Sequence, residues 1–273
     1  MQGFKGRQGY LKNKWIVAGS ILLGIMVLLA VFVPLVSEWS YTEQNAAARN
    51  LLPSAEHWFG TDKFGRDIFV RVWYGTRISL EVGIMSAFLN GMIGICYGGI
   101  AGYTGGKTDL LFMRLVDILD AIPSLLYVIL IMLVLEPGIK SVVFSICVSG
   151  WTDTARIVRG EILRLKKQEF CLAAKLAGAR PFHILFRHLL PNASGAIIVN
   201  LTFLIPKAIF TESFLSFIGV GIAAPAASLG TLIREAESQM QIYSYQMLCP
   251  MLALCALVLA IHLIGFGMEQ EGA

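Results

Sequence analysis

Lys207 and Glu212 are ionisable side chains within an apolar stretch that runs from about residue 193 to residue 219. A charge inside such a stretch is costly, and the side chains retained there usually pair with each other or serve a transport path. Their i,i+5 spacing is imperfect for a helical ion pair but permits one. With Pro206 beside them, the sequence predicts either a structural helix break or a substrate contact at this position.

Arg114, Asp117 and Asp120 recur at one-turn spacing before another apolar run that ends near Leu135. An i,i+3 ion pair between Arg114 and Asp117 is the local expectation. Charges at a membrane edge serve either anchoring or the transport path. Four side chains form the predicted translocation path: Asp117, Asp120, Lys207 and Glu212.

Residues 101–108, AGYTGGKT, are one residue away from the phosphate-binding pattern GxxxxGK[ST], because Ala101 stands where the first glycine is needed. That loop must follow a β-strand and open a helix. Here it follows an apolar span, so a short cytoplasmic turn is predicted in place of a nucleotide site.

No catalytic or metal-binding set is recognisable in the sequence. HExxH, GxSxG and CxxC patterns are absent, and the four histidines are scattered along the chain. The five cysteines lie mostly in apolar runs and are interpreted as small buried hydrophobic residues. The sequence therefore predicts no enzyme, no catalytic residue and no metal site on this chain.

The composition is that of a helical membrane protein. Of 273 residues, 56% are hydrophobic and 15% are charged, with a mean hydropathy of +0.69. Soluble domains carry about 25% charged residues, and a bilayer-spanning helix needs about 20 apolar residues. The fold class predicted is an all-α polytopic protein with six transmembrane helices, near residues 15–37, 82–106, 114–135, 139–156, 193–219 and 246–267.

The charge distribution predicts the orientation of the spans. Lys5, Arg7, Lys12 and Lys14 precede the first span, and eight Lys or Arg residues against two acids lie between Arg156 and His188. Positive charge accumulates in cytoplasmic loops, so both termini and this basic loop are expected inside. The same basic run would suit a nucleic acid in a soluble protein, but between apolar spans no nucleic-acid partner is predicted.

Small residues recur every four positions in the second span, first Gly83, Ala87 and Gly91, then Gly94, Gly98 and Gly102. This spacing allows close helix packing in lipid. We expect the stripe to contact a neighbouring helix, either in this chain or in a partner subunit.

The stretch 169–192, EFCLAAKLAGARPFHILFRHLLPN, joins two apolar regions. Small residues dominate one face of the predicted helix, and Glu169 in the first turn suits the helix dipole. Gly178 and Pro181 predict the end of that helix, and a second short helix is expected to begin at Pro181 and to end before Pro191.

The spacing of Glu169, Ala173-Ala174, Gly178 and Leu190-Pro191 resembles the "EAA" coupling loop of permease subunits from ABC importers. The resemblance implies that this helix docks into a cleft of an ATPase subunit. The coupling residues implied are Glu169, Ala173, Ala174, Ala177, Gly178, Arg180 and Pro181. The other interpretation is a cytoplasmic helix that packs only on its own protein.

Residues 57–80 contain Gly60-Thr61-Asp62 and Gly65-Arg66-Asp67, which resemble the N-terminal signature of the dipeptide, oligopeptide and nickel permease family, in its second, C-type permease. Glycine-bounded turns with local pairing of Asp and Arg are the structural expectation. Residues 212–219 and 225–230 also resemble this family.

The resemblance implies a type I ABC importer permease in the cell membrane, without a cofactor on this chain. Its implied partners are a homologous second permease, two ATPase subunits that hold ATP and Mg²⁺, an extracytoplasmic substrate-binding protein and the lipid bilayer. Residues 1–80 are assigned to a cytoplasmic segment, the first span and an outside loop, and residues 81–273 to a five-helix core with a coupling loop at 156–192. Peptide import is predicted, with nickel or metal-chelate import as the alternative and a secondary transporter as a more distant one.

Overall fold

The computed structural model describes residues 13–272, and within them every regular element is a helix. The helices, in chain order, are α1 (Lys14–Val36), α2 (Ile68–Thr104), α3 (Gly106–Asp120), α4 (Ser124–Met132), α5 (Ile139–Ser149), α6 (Thr152–Leu165), α7 (Glu169–Leu176), α8 (Pro181–Ile184), α9 (Leu190–Ile218), α10 (Leu229–Glu237) and α11 (Tyr245–Gly272). A 3₁₀ turn covers Ala46–Ala48, and a π-helical segment, Leu185–Leu189, joins α8 to α9. The all-α class predicted from the sequence is confirmed.

Four helical stretches of the described chain are long and apolar enough to cross a bilayer: Lys14–Val36, Ile68–Thr104, Pro181–Ile218 and Tyr245–Glu271. A fifth candidate is the pair α3 and α4, which is bent by 69°. Helix α5 is apolar but shorter. The count of six spans and the orientation of the termini therefore stay predictions, and Lys5, Arg7 and Lys12 lie outside the described residues.

Helix α2 is longer than the sequence analysis predicted. It begins at Ile68, where the Asp67 carboxylate caps it by accepting a hydrogen bond from the Val70 amide at 2.9 Å. A side-chain oxygen at this position satisfies one of the unpaired amides of the first turn. The predicted boundary at residue 80 therefore falls inside α2, because the charged stretch after Asp67 is helical and not part of the loop.

The third predicted span is broken where its sequence contains Ile122-Pro123. Helix α3 ends at Asp120 and α4 starts at Ser124. Proline lacks the amide hydrogen that a helix needs and disfavours helical backbone in the residue before it. Because of this break, Asp117 and Asp120 lie at the end of one helix and not at the start of a continuous span.

The glycine stripe packs within this chain. Glycines 83 and 91 face Ile209 and Leu201 of α9, and glycines 94, 98 and 102 face α6. A methyl group built at Gly94 would lie 2.5 Å from the Thr154 Cβ atom, so the two helices meet closely only because glycine stands there. Helix α2 is consequently held between α6 and α9. These two helices carry Asp153 and Lys207, respectively, and both pack against the segment that contains α7 and α8.

Candidate functional site

Helix α7 has the ends that its sequence predicts. It begins at Glu169, which is exposed in the first turn. Gly178 follows it with φ of 78°, and the Ala179 amide donates to the Ala174 carbonyl at 3.1 Å. This left-handed closure is favoured by glycine because it has no Cβ. Pro181 then begins α8, as expected.

A buried apolar cluster fixes α7 and α8 to the rest of the protein. Cys171 is the fully buried residue of α7, and it packs with residues of α6, α8, the π-helical segment and α9. The buried members are Val158, Ile162, Leu165, Cys171, Ile184, Leu185, Leu189, Ala193 and Ile197. A closely packed interior transmits displacement without much compression, so a force on α7 reaches α6 and α9.

The opposite side of this segment is exposed and apolar, and we call it the coupling surface. Leu176 is 90% exposed, and Leu172, Phe182 and Phe186 are also exposed. The rings of Phe182 and Phe186 stack with centroids 6.3 Å apart. Of the coupling residues that the resemblance implied, Ala174 is half-buried and the others are exposed: Glu169, Ala173, Ala177, Gly178, Arg180 and Pro181.

The predicted end of the second helix before Pro191 is wrong. The chain stays helical from Pro181 to Ile218, and the π-helical segment immediately precedes Leu190-Pro191. A π segment has i→i+5 hydrogen bonds and so shifts the hydrogen-bond register by one residue. Asn192 Nδ2 donates to the His188 carbonyl at 2.5 Å and satisfies an acceptor in this turn. The coupling surface is thereby continuous with α9.

Two polar contacts join the end of α2 and the start of α3 to α6 and to Lys166, the residue that follows α6. The Arg159 guanidinium donates to both carboxylate oxygens of Asp109, at 2.5 and 2.6 Å, and this hydrogen bonding raises the pKa of Arg159. Lys166 donates to the Tyr103 carbonyl, and burial lowers the pKa of Lys166. Gly105 and Gly106 both have positive φ in this turn. The AGYTGGKT sequence thus forms a tight connection between two helices.

A charged cavity of about 210 Å³ lies where the helix breaks meet. Its lining includes Asp120 at the end of α3, Asp153 at the start of α6 and Lys207 of α9. Asp117 lies beside it, because Arg156 forms ion pairs with both Asp117 and Asp120, at 3.0 and 2.6 Å. The structure therefore brings three of the four predicted path residues to one region.

Two predicted ion pairs are wrong. Lys207 contacts Asp153 at 2.7 Å and not Glu212. Among the described residues, Arg114 does not pair with Asp117. Asp117 pairs instead with Arg156 of α6, which lies 39 positions further along the sequence. Local spacing missed both contacts because the true partners lie on other helices.

Glu212 is fully buried and lies outside the cavity lining. Its carboxylate accepts hydrogen bonds from Ser79 Oγ at 2.8 Å, Ser216 Oγ at 2.8 Å and Ser213 Oγ at 3.3 Å. The Ser79 hydroxyl in turn accepts from the Leu229 amide at 3.4 Å. Glu212 therefore joins α2, α9 and the start of α10, and this geometry does not support the predicted role in the transport path.

A second buried ionic network fixes α10 to the loop before α2. Arg66 Nη2 lies 2.5 Å from Glu235 Oε2, and Arg71 Nη2 lies 2.9 Å from the same oxygen. Asp62 also pairs with Arg66 at 2.7 Å, which confirms the expected local pairing of Asp and Arg. The sequence analysis did not identify Glu235 as a partner of these arginines. The only indication in the sequence was the presence of an acidic side chain on a short amphipathic helix.

Comparisons with known proteins match almost the whole chain. A family model described as the binding-protein-dependent transport system inner membrane component matches residues 94–269, and one described as the N-terminal TM domain of oligopeptide transport permease C matches residues 7–53. The oligopeptide transport system permease protein OppC of Bacillus subtilis (strain 168) is 42% identical and aligns over 94% of this chain and 85% of its own. The dipeptide transport system permease protein DppC of the same organism is 44% identical over 95% of this chain and 81% of its own.

A more distant relative and a solved structure agree with this result. The OppC protein of Escherichia coli (strain K12) is 37% identical over 97% of this chain and 88% of its own. A chain of the inward-facing MetNI methionine ABC transporter aligns with a TM-score of 0.59 at 20% identity, over 72% of this chain and 92% of that one. At such low identity the structural likeness shows the fold alone.

Proposed function

The chain belongs to the family of binding-protein-dependent transport system inner membrane components, and from that premise we propose that it is the C-type permease subunit of an ATP-driven peptide importer. It is a multi-pass membrane protein. The observation that carries the proposal is its identity of 42–44%, over 94–95% of its length, to permeases named for oligopeptide and dipeptide transport.

The names of these relatives favour peptide over nickel. Membership of a binding-protein-dependent family favours ATP-driven import over secondary transport. Among the described residues, no group of three or more His, Cys, Asp or Glu side chains is placed so that it could hold a metal ion. We therefore keep one function, import of a peptide delivered by an extracytoplasmic receptor.

The partners follow from the same proposal. One chain of this size supplies half of a pathway, so a homologous second permease completes it. Two ATPase subunits bind and hydrolyse ATP with Mg²⁺, and this chain contributes no catalytic residue. The receptor meets the face of the protein opposite to the coupling surface.

In this mechanism the coupling surface docks into a cleft of an ATPase subunit. An exposed apolar patch rimmed by polar residues is typical of a protein interface, and Leu176 and Phe182 are its most exposed members. Cys171 and its neighbours join the docked helix to α6 and α9. Both of those helices also line the charged cavity, so closure of the ATPase pair moves the cavity walls directly.

Leu176→Asp tests the docking. Leu176 makes little contact within the chain, so the variant inserts and folds, but burial of its carboxylate in the ATPase cleft is unfavourable. We expect co-purification of the ATPase with the permease to fall at least about tenfold, the result of losing about 1.4 kcal/mol of association. Leu52→Asp, a matched change at a leucine that is 66% exposed in the loop between α1 and α2, leaves co-purification unchanged.

Full retention of the ATPase by Leu176→Asp would contradict the docking surface. Loss of the ATPase in both variants would mean that a charge at any exposed leucine destabilises the protein.

A further inference from the structure

Two buried polar side chains in the charged cavity lack hydrogen-bond partners within residues 13–272. Asn90 of α2 is 3% exposed and Ser149 of α5 is 5% exposed, and both line the cavity. The Asn90 amide oxygen and the Ser149 hydroxyl oxygen are the unpartnered atoms. Buried polar atoms are nearly always paired, so each such atom needs an explanation, and a bound ligand is one.

The cavity lining carries two carboxylates, Asp120 and Asp153, and one cation, Lys207. Asp120 is bound by Arg156, which lies outside the lining, at 2.6 Å, and it accepts a hydrogen bond from the Thr152 hydroxyl at 2.8 Å. Asp153 has a single ion-pair partner, Lys207, among the described residues, and its carboxylate retains free acceptor capacity.

Lys207 and Asp153 are also accessible from outside this chain. Their side chains are 55% and 51% exposed, although they lie on helices of a membrane protein. Charged side chains in membrane segments face a water-filled path or the interior of an assembly, and not lipid. The open side of the cavity therefore faces water or an adjoining subunit and not lipid.

We propose that this cavity binds the amino terminus of the transported peptide. The ligand chemistry that fits is a primary ammonium group, a cation with three N–H donors, facing the accessible Asp153 carboxylate and two unpartnered oxygens. The cavity volume of about 210 Å³ lies below the ~300–1,000 Å³ of sites that enclose a whole drug-sized ligand, so it takes one end of a peptide. The assignment rests on the proposed peptide function and adds to it the end of the substrate that this subunit recognises.

The test uses the complete importer, reconstituted in vesicles with its ATPases, second permease and receptor. The probes are one tetrapeptide with a free amino terminus and the same peptide acetylated at that terminus. Each is loaded on the receptor in excess before mixing, with loading measured directly. Per loaded receptor, wild type is expected to import the free peptide about tenfold faster or more, the loss expected for one hydrogen bond to a charged group.

Substitutions in the cavity locate the preference. Asp153→Asn and Asn90→Leu are expected to slow import of the free peptide about tenfold and to leave import of the acetylated peptide unchanged. Glu136→Gln, an exposed acid between α4 and α5, changes neither rate. Equal slowing of both peptides by Asp153→Asn, or equal import of both by wild type, would overturn the assignment and leave Asn90 and Ser149 as groups that bind water.

A labelling measurement provides a second test, which does not depend on the assembly of the Asp153→Asn and Asn90→Leu variants. In a permease whose five native cysteines are replaced, Thr211→Cys places a thiol in the cavity lining, and Asp153 and Asn90 keep their native side chains. During turnover, the free peptide is expected to slow alkylation of this thiol several-fold more than the acetylated peptide does. Equal alkylation with both peptides counts against the proposal. Failure of the wild-type complex to import any peptide is a different result, which removes the peptide function itself and this assignment with it.

Discussion

Lys207 Nζ lies 2.7 Å from Asp153 Oδ2, and the two residues are 54 positions apart in the sequence. Their contact closes α9 onto the start of α6 at the level of the charged cavity. Because about half of each side chain is exposed, the pair is accessible to substrate and contributes little to folding.

Lys207→Met is therefore expected to lower the free energy of unfolding by no more than about 1 kcal/mol, the upper range for exposed ion pairs. The melting temperature of the purified complex measures this. A large drop would show that the pair supports the fold and does not act as an accessible contact of the cavity.

Glu212 is expected to behave in the opposite way. Glu212→Ala leaves the hydroxyls of Ser79 and Ser216 buried without their acceptor, which costs about 1–3 kcal/mol per group. We expect a clearly lower melting temperature, whereas Glu43→Ala, an exposed acid in the loop between α1 and α2, has little effect. An unchanged melting temperature in Glu212→Ala would mean that the serines find other partners.

Glu235→Ala removes the shared partner of Arg66 and Arg71. Arg71 is almost fully buried, and breaking a buried ion pair by removing one partner costs about 3–5 kcal/mol, a value that the partial exposure of Glu235 reduces. The expected result is destabilisation, and faster proteolysis of the loop before α2 is the measurement. Glu237→Ala, two residues further on α10 and exposed, is the control and leaves proteolysis unchanged.

Gly178 allows a test of the turn that follows α7. Its φ of 78° strains other residues, although a Cβ there would meet no atom within 4 Å. Asn tolerates this backbone and Val does not, with a difference of about 1–2 kcal/mol. Gly178→Asn is expected to retain peptide-stimulated ATP hydrolysis, and Gly178→Val to lose most of it. Equal activity of the two variants would show that coupling does not depend on this turn.

Features that depend on neighbouring residues were predictable from the sequence. The end of α7 at Gly178, the start of α8 at Pro181 and the pair of Asp62 with Arg66 all follow from local backbone preference and short spacing. The glycine stripe of α2 also predicted close helix packing, although the sequence did not say which helices would fill it.

Features that depend on distant residues were not predictable. The serine that binds Glu212 from α2 lies 133 positions away, and Glu235 lies 164 positions from Arg71. A sequence without aligned relatives carries no signal of such contacts. The break at Pro123 is an exception with a local signal, because proline disfavours helical backbone in the residue before it.

Uptake by the reconstituted complex of both permeases, the ATPases and the receptor, comparing labelled di- and oligopeptides with Ni²⁺, tests the proposed function most directly. We predict peptide uptake that requires the receptor and ATP and is lost in Leu176→Asp. Receptor-dependent uptake of Ni²⁺ without peptide uptake would contradict it.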